Sequence, residues 1–147
     1  RPYFPGGRAL TADIPVTVIG GYLGAGKTTL VNHLLRHAAG RRIAILVNEF
    51  GDLPIDEDLI EAEGEDMIAI SGGCICCSFG SDLTAALIKL AELAPPPDHV
   101  VIEASGVAMP GTVALSISIL PGFALAGVVV LADGERVQAQ AEDDPSA

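Results

Sequence analysis

Gly21-Tyr22-Leu23-Gly24-Ala25-Gly26-Lys27-Thr28 fits the phosphate-loop pattern G-x-x-x-x-G-K-[ST] at every constrained position. Glycines let the main chain curl so that successive N–H groups point inward and form an anion nest. A helix opening at Lys27 would add its positive end to that nest. The chemistry this serves is the holding of a nucleoside triphosphate, GTP or ATP. Gly21, Gly24, Ala25 and Gly26 frame the phosphates, and Lys27 reaches the β- and γ-phosphates. The Thr28 hydroxyl ligates Mg²⁺, and Thr29 donates to the α-phosphate. The segment follows a short run of β-branched residues and precedes a helical pattern, which separates a phosphate loop from an idle glycine turn.

A second acidic group is needed at the tip of another strand, to hold Mg²⁺ directly or through water. Glu103 closes the apolar run His99-Val100-Val101-Ile102 and opens Glu103-Ala104-Ser105-Gly106. Ligands of open α/β sheets gather at the carboxyl ends of strands, where Glu103 would sit. With Lys27 it forms the candidate catalytic pair. Gly106, lacking a Cβ, lets its N–H approach a γ-phosphate and makes this loop a sensor of nucleotide state. Glu49 and Asp52, in Asn48-Glu49-Phe50-Gly51-Asp52, follow another strand and reach the same edge. They are candidates for contact with Mg²⁺, with a second metal, or with water alone.

Cys74, Cys76 and Cys77 fall within four positions behind Gly72-Gly73. Thiolates so spaced can converge on one soft or borderline ion such as Zn²⁺. In an extended C-x-C, Cys74 and Cys76 point to one side, whereas a turn after Gly73 would bring Cys76 and Cys77 inward. Packed thiols or a redox pair are the plainer alternatives. There is no second cysteine pair to close a structural Cys₄ site, so an incomplete set suits a transferable ion. Glu49, Asp52, water or a group outside the chain would complete it. His33 and His37 lie four apart on the helix after the phosphate loop and read as solvated or core-edge residues. His99 supports no functional claim.

Positioning these residues requires strands that alternate with helices. The runs Val16–Ile19, Arg42–Val47, Met67–Ile70, His99–Ile102 and Ala126–Leu131 read as strands. Helical spacing runs from Lys27 to Gly40, with Leu30, Leu34 and Leu35 on one face. It recurs after Ser81, which can cap a helix carrying Leu83, Leu87, Leu90 and Ala91, and again over Gly111–Ile119. Asp58-Leu59-Ile60-Glu61 reads as a short helical turn. The pattern predicts an α/β fold of the P-loop NTPase kind, three layers with a mostly parallel sheet and helices on both faces. Residues 1–14 form a loose lead-in, 15–133 one nucleotide-binding domain, and 134–147 a polar, disordered tail.

The 147 residues are half hydrophobic, with no Trp and an aliphatic core. Eight Lys and Arg against nineteen Asp and Glu give a net charge of −11, which excludes nucleic acid as a partner. No apolar run approaches the roughly 18 residues of a membrane span. The start lacks a signal region, and clustered cysteines suit a reducing compartment, so a cytoplasmic location is expected.

Taken together, the residues resemble the CobW-like GTPases of the wider CobW/HypB/UreG group of metal-insertion proteins. The resemblance rests on Gly20–Thr29, Asn48-Glu49-Phe50-Gly51 with Asp56, Gly73-Cys74-Ile75-Cys76-Cys77, and Glu103-Ala104-Ser105-Gly106, in matching order across about Pro15 to Asp133. It implies a GTP hydrolase that binds a transition metal, Zn²⁺ or Co²⁺, and delivers it to a client metalloprotein or cofactor pathway. It further implies that Cys76 and its neighbours hold the cargo, while Glu103 to Gly106 answer to the γ-phosphate. The family's guanine-reading N/T-K-x-D segment lies beyond the last strand here, since the only other lysine is Lys89. GTP over ATP therefore follows from the resemblance alone. The family's second domain is missing too, so the chain is expected to be the N-terminal part of a longer protein. Its unfinished sheet leaves weak nucleotide binding or association into a dimer open. The competing readings are a P-loop ATPase or small-molecule kinase without metal cargo, and a module that binds nucleotide without turning it over.

Overall fold

The computed structural model describes residues 13–21, 26–104 and 110–134. Seven strands form one sheet: β1 (Ile14–Gly21), β2 (Ile43–Val47), β3 (Ile60–Glu63), β4 (Met67–Ile70), β5 (Ile75–Ser78), β6 (His99–Glu103) and β7 (Phe123–Leu131). Their order is β3-β4-β5-β2-β6-β1-β7. The five strands from β5 to β7 pair in parallel, while β4 runs antiparallel to both β5 and β3. The helices are α1 (Lys27–Arg36), α2 (Leu83–Ala91) and α3 (Pro110–Ser118).

The central strands are apolar on both faces because both faces are covered. Val16, Val18, Ala44, Leu46, Val100 and Ile102 pack with Leu87 and Leu90 of α2 and Val113 and Ile117 of α3. Ile19, Ile45, Val47 and Val101, the alternate positions, pack with Val31 and Leu35 of α1. Helix, sheet and helix thus make the three layers that the alternating pattern predicts.

Several elements differ in detail from the sequence reading. Only Glu57–Leu59 makes a helical turn, and Ile60–Glu63 is an edge strand instead, since hydrogen bonding to β4 offers the backbone more partners than one isolated turn. Of the cysteine segment, Cys76 and Cys77 lie in a strand, β5, and Cys74 immediately precedes it. Helix α2 is capped by Asp82, not Ser81: the Ala85 N–H donates to Asp82 Oδ1 at 2.9 Å. Helix α1 stops at Arg36, short of Gly40, and its buried stripe is Val31, Asn32 and Leu35 rather than Leu30, Leu34 and Leu35. Strand β1 begins at Ile14, inside the expected lead-in, and β7 begins at Phe123. The expected disordered tail lies outside the described residues apart from Gly134.

Candidate functional site: a lysine–glutamate pair at the carboxyl edge of the sheet

Strand register decides what meets at the site. Ile19 of β1 stands level with Glu103 of β6, so the end of β1 and the end of β6 reach the same edge side by side. The chain then enters α1 at Gly26, whose φ of 103° is left-handed and natural only to glycine. Gly21 also has a positive φ, 133°, and a Cβ there would collide with the Leu131 carbonyl of β7. Close packing of β7 and the positive φ therefore both favour glycine at this point.

Lys27, in the first turn of α1, folds back over this junction. Its Nζ donates to the Gly21 carbonyl at 2.8 Å and to Glu103 Oε1 at 3.0 Å. Glu103 is fully buried, and Lys27 is nearly so. A charge so deep needs an opposite charge beside it, because desolvation penalises both alone. The structure therefore brings the two candidate catalytic residues together. Thr28 and Thr29 occupy the first turn of α1, Thr28 half-buried and Thr29 exposed. Gly24, Ala25 and Gly106 lie outside the described residues.

The thiols are arranged differently. All three cysteines are unpaired and buried. Cys74 and Cys76 belong to the core on the α1 face, whereas Cys77 belongs to the core on the α2 face. Successive side chains of a strand point to opposite sides, so Cys76 and Cys77 cannot share a face while β5 stays in its ladder. Cys74 lies at the far edge of the sheet. Its Sγ donates to the Arg41 carbonyl and accepts from the Ile43 N–H, each at 3.4 Å. Ile43 is level with His99, at the opposite end of β6 from Glu103, roughly 13 Å away at the rise of a strand. Cys76 is nearer, on the α1 face, level with Ile45 and Val101 and two strand spacings from β6, roughly 10 Å. Burial pushes the Cys76 thiol up to about 12, with Cys77 adding to the shift. Burial also raises Cys77, to about 11, though Lys89 draws it down. Both are neutral thiols at pH 7.

Glu49 and Asp52 cap one helical turn together: the Glu49 N–H donates to Asp52 Oδ2 at 3.2 Å, and the Asp52 N–H to the Glu49 carbonyl at 3.0 Å. Both side chains are exposed. Among the described residues no group of three or more His, Cys, Asp or Glu could hold a metal ion. A cavity of about 210 Å³ opens on the α2 face, lined by Cys77, Asp66, Asp82 and Lys89 among others, away from Lys27 and Glu103. His33 and His37 stack at 4.2 Å between ring centroids on the exposed side of α1. His99 lies within 2.7 Å of Thr17 Oγ1, and burial, then Arg41, lowers its pKa.

One buried polar residue behind the site escaped the sequence reading. Asn32 is buried in the apolar stripe of α1, and its amide bonds the Thr28 carbonyl, the Pro54 carbonyl and the Asp56 N–H. The signal was present: a polar amide four residues after Thr28, between Val31 and Leu35, in the facing row of the helix.

Comparison with known proteins identifies the family and the fold. The family described as CobW/HypB/UreG, nucleotide-binding domain, matches residues 15–147. The chain is 40% identical over 141 residues to the protein named "Zinc chaperone CobW" of Sinorhizobium sp, covering 90% of this chain and 40% of that one. It is 34% identical over 141 residues to the "Zinc-regulated GTPase metalloprotein activator 1" of Schizosaccharomyces pombe, covering 89% and 34%. Its fold matches the crystal structure of the Zn(II)-bound YjiA GTPase from E. coli with a TM-score of 0.75 at 31% identity, over 93% of this chain and 46% of that one. The chain spans less than half the length of each of these proteins.

Proposed function

Because the chain belongs to the CobW/HypB/UreG family through its nucleotide-binding domain, we propose that it is the GTP-hydrolysing part of a protein that carries a transition metal ion to a client metalloprotein. The observation that carries this reading is the buried Lys27 ammonium, 3.0 Å from Glu103 and 2.8 Å from the Gly21 carbonyl at the carboxyl edge of the sheet. A triphosphate offers that ammonium a stronger partner than a carbonyl does. Lys27 would then turn to the β- and γ-phosphates, within the nest formed by Gly21, Gly24, Ala25 and Gly26, with Thr29 on the α-phosphate and Gly106 near the γ-phosphate. The donor set fits Mg²⁺, a hard ion that takes oxygens: the Thr28 hydroxyl would bind it, and Glu103 would hold it directly or through water. Bound there, Mg²⁺ would draw negative charge from the phosphates. Glu103, freed from Lys27, can also orient the attacking water. Guanine over adenine is supported by the relatives named as GTPases.

The cargo, Zn²⁺ or Co²⁺, is assigned to Cys76 with Cys74 or Cys77, and with Glu49 or Asp52 as exposed partners. Neutral thiols on two faces do not fit one ion as they stand. Uptake therefore requires proton release and departure of Cys76 and Cys77 from the β5 ladder. That dry, split arrangement is also what a P-loop ATPase or kinase without cargo would have, and it favours that second reading. Unpaired thiols suit a reducing compartment, hence the cytoplasm. Among the described residues no helix is long and apolar enough to cross a membrane. Association into a dimer is part of the proposal.

Equilibrium Zn²⁺ titration of the full-length protein, with and without GTP, tests the reading. Zn²⁺ affinity is expected to fall at least about tenfold in Cys76→Ala and to change with GTP. Unchanged affinity in both comparisons, alongside intact GTP turnover, would establish the cargo-free enzyme instead.

A further inference from the structure

We infer that Asn32 is a positioning residue that ties the first turn of α1 to the acidic loop after β2, so that the loop feels whether nucleotide is bound. The inference rests on the phosphate-binding role proposed for Lys27 and Thr28. Asn32 uses both ends of its amide. Nδ2 donates to the Thr28 carbonyl at 2.9 Å and to the Pro54 carbonyl at 3.1 Å, and Oδ1 accepts from the Asp56 N–H at 2.8 Å. Bonding one carbonyl and one N–H of the same short segment fixes that segment's position and orientation together, as a pairing strand would.

The Asn32 side chain is itself buried, so its amide would be costly to leave unpaired, although its loop partners Pro54 and Asp56 reach the surface. One turn further along α1, Arg36 forks onto Asp58 at 2.8 Å through both guanidinium nitrogens and reaches Asp56 at 2.9 Å. Those contacts are exposed, and exposed ion pairs contribute little. The pin is therefore chiefly Asn32, with Arg36 as an outer strap.

Its position divides the loop. Leu53 and Leu59 are buried and Pro54 and Asp56 are pinned, whereas Glu49 and Asp52 are exposed and bond to one another. A shift of α1 when phosphates engage its N-terminus would pass through Asn32 to residues 54–56 and so tilt Glu49–Asp52. Among the described residues of that outer turn, Phe50 is the half-buried apolar one that packs on the core.

Hydrogen exchange read by mass spectrometry over residues 48–56 of the full-length protein tests this, with Mg²⁺ alone and with Mg²⁺ plus a non-hydrolysable GTP analogue. In the wild type the analogue is expected to slow exchange there about tenfold. Asn32→Ala should bind the analogue within about threefold of wild type yet lose most of that slowing. Asn32→Asp keeps the acceptor for Asp56 but loses both donors, and should behave likewise; it serves if the alanine variant fails to fold. Arg36→Gln should keep the wild-type response. An Asn32 variant that binds the analogue and still shows the full slowing overturns the inference, as does a wild type that binds without any change at 48–56. A wild type that does not bind the analogue at all overturns the nucleotide reading, and this one with it.

Discussion

Lys27 and Glu103 form a buried ion pair that, under the proposed function, serves both folding and chemistry. Removing one partner of a buried pair takes away the attraction that offsets the desolvation of the other, at a cost of about 3–5 kcal/mol. Lys27→Met is therefore expected to destabilise the nucleotide-free protein by about that amount in urea melts, and Glu103→Gln in the same chain should recover much of it. Glu103→Gln alone keeps an acceptor for Lys27 but not the charge, so it should retain GTP binding and lose Mg²⁺-dependent turnover. Equal loss of both would remove Glu103 from the metal-side role. The cysteines make a separate prediction. Cys76 has its pKa raised from 9.0 to about 12, so above pH 9 the unfolded chain releases that proton first. Stability is then fully present below pH 9 and falls as pH rises towards 12. Denaturation midpoints between pH 8 and pH 10.5 should drop less in Cys76→Val than in wild type. A parallel drop in the two would show that Cys76 is solvated.

At the scale of elements, ladder and cap geometry decided what composition left open. Ser81 and Asp82 are both good caps, and the chain's exit from β5 selects the second: the Asp82 N–H bonds the Phe79 carbonyl at 3.0 Å and sets the helix entry. Asp82→Ala should lower stability by about 1 kcal/mol, and Ser81→Ala by much less, by denaturant titration. Sequence reasoning placed the phosphate loop and Glu103 on strand ends because those motifs carry their own context. It left the cysteines open between a turn and a strand, because C-x-C-C has no turn-specific residue after Gly73. Pairing to β2 and β4 settles it as β5, which parts Cys77 from Cys76.

At the scale of the whole sheet, β7 is one of its two edges among the described residues. It is nine residues long, lies at the end of the sheet, and leaves Leu125, Val128, Val129 and Val130 at least a third exposed. Leu115 of α3 and Ile119, just beyond its end, are exposed apolar residues as well. A long apolar edge strand invites pairing with another chain. The 147-residue chain alone is expected to self-associate in analytical ultracentrifugation, and Val128→Lys with Val130→Lys should shift it towards monomer. A monomeric wild-type chain at high concentration would show that the edge is guarded in solution.

By itself the sequence settled the three-layer α/β class and singled out Gly21–Thr28 and Glu103 as the proposed phosphate-side residues, because periodicity and glycine placement are local and express themselves wherever the chain goes. Strand order, the meeting of Lys27 with Glu103, the division of the three sulfurs between two faces, and the Asn32 pin came only with tertiary structure. Each depends on register between segments distant along the chain, and a one-residue slip in register would turn every such side chain to the other face.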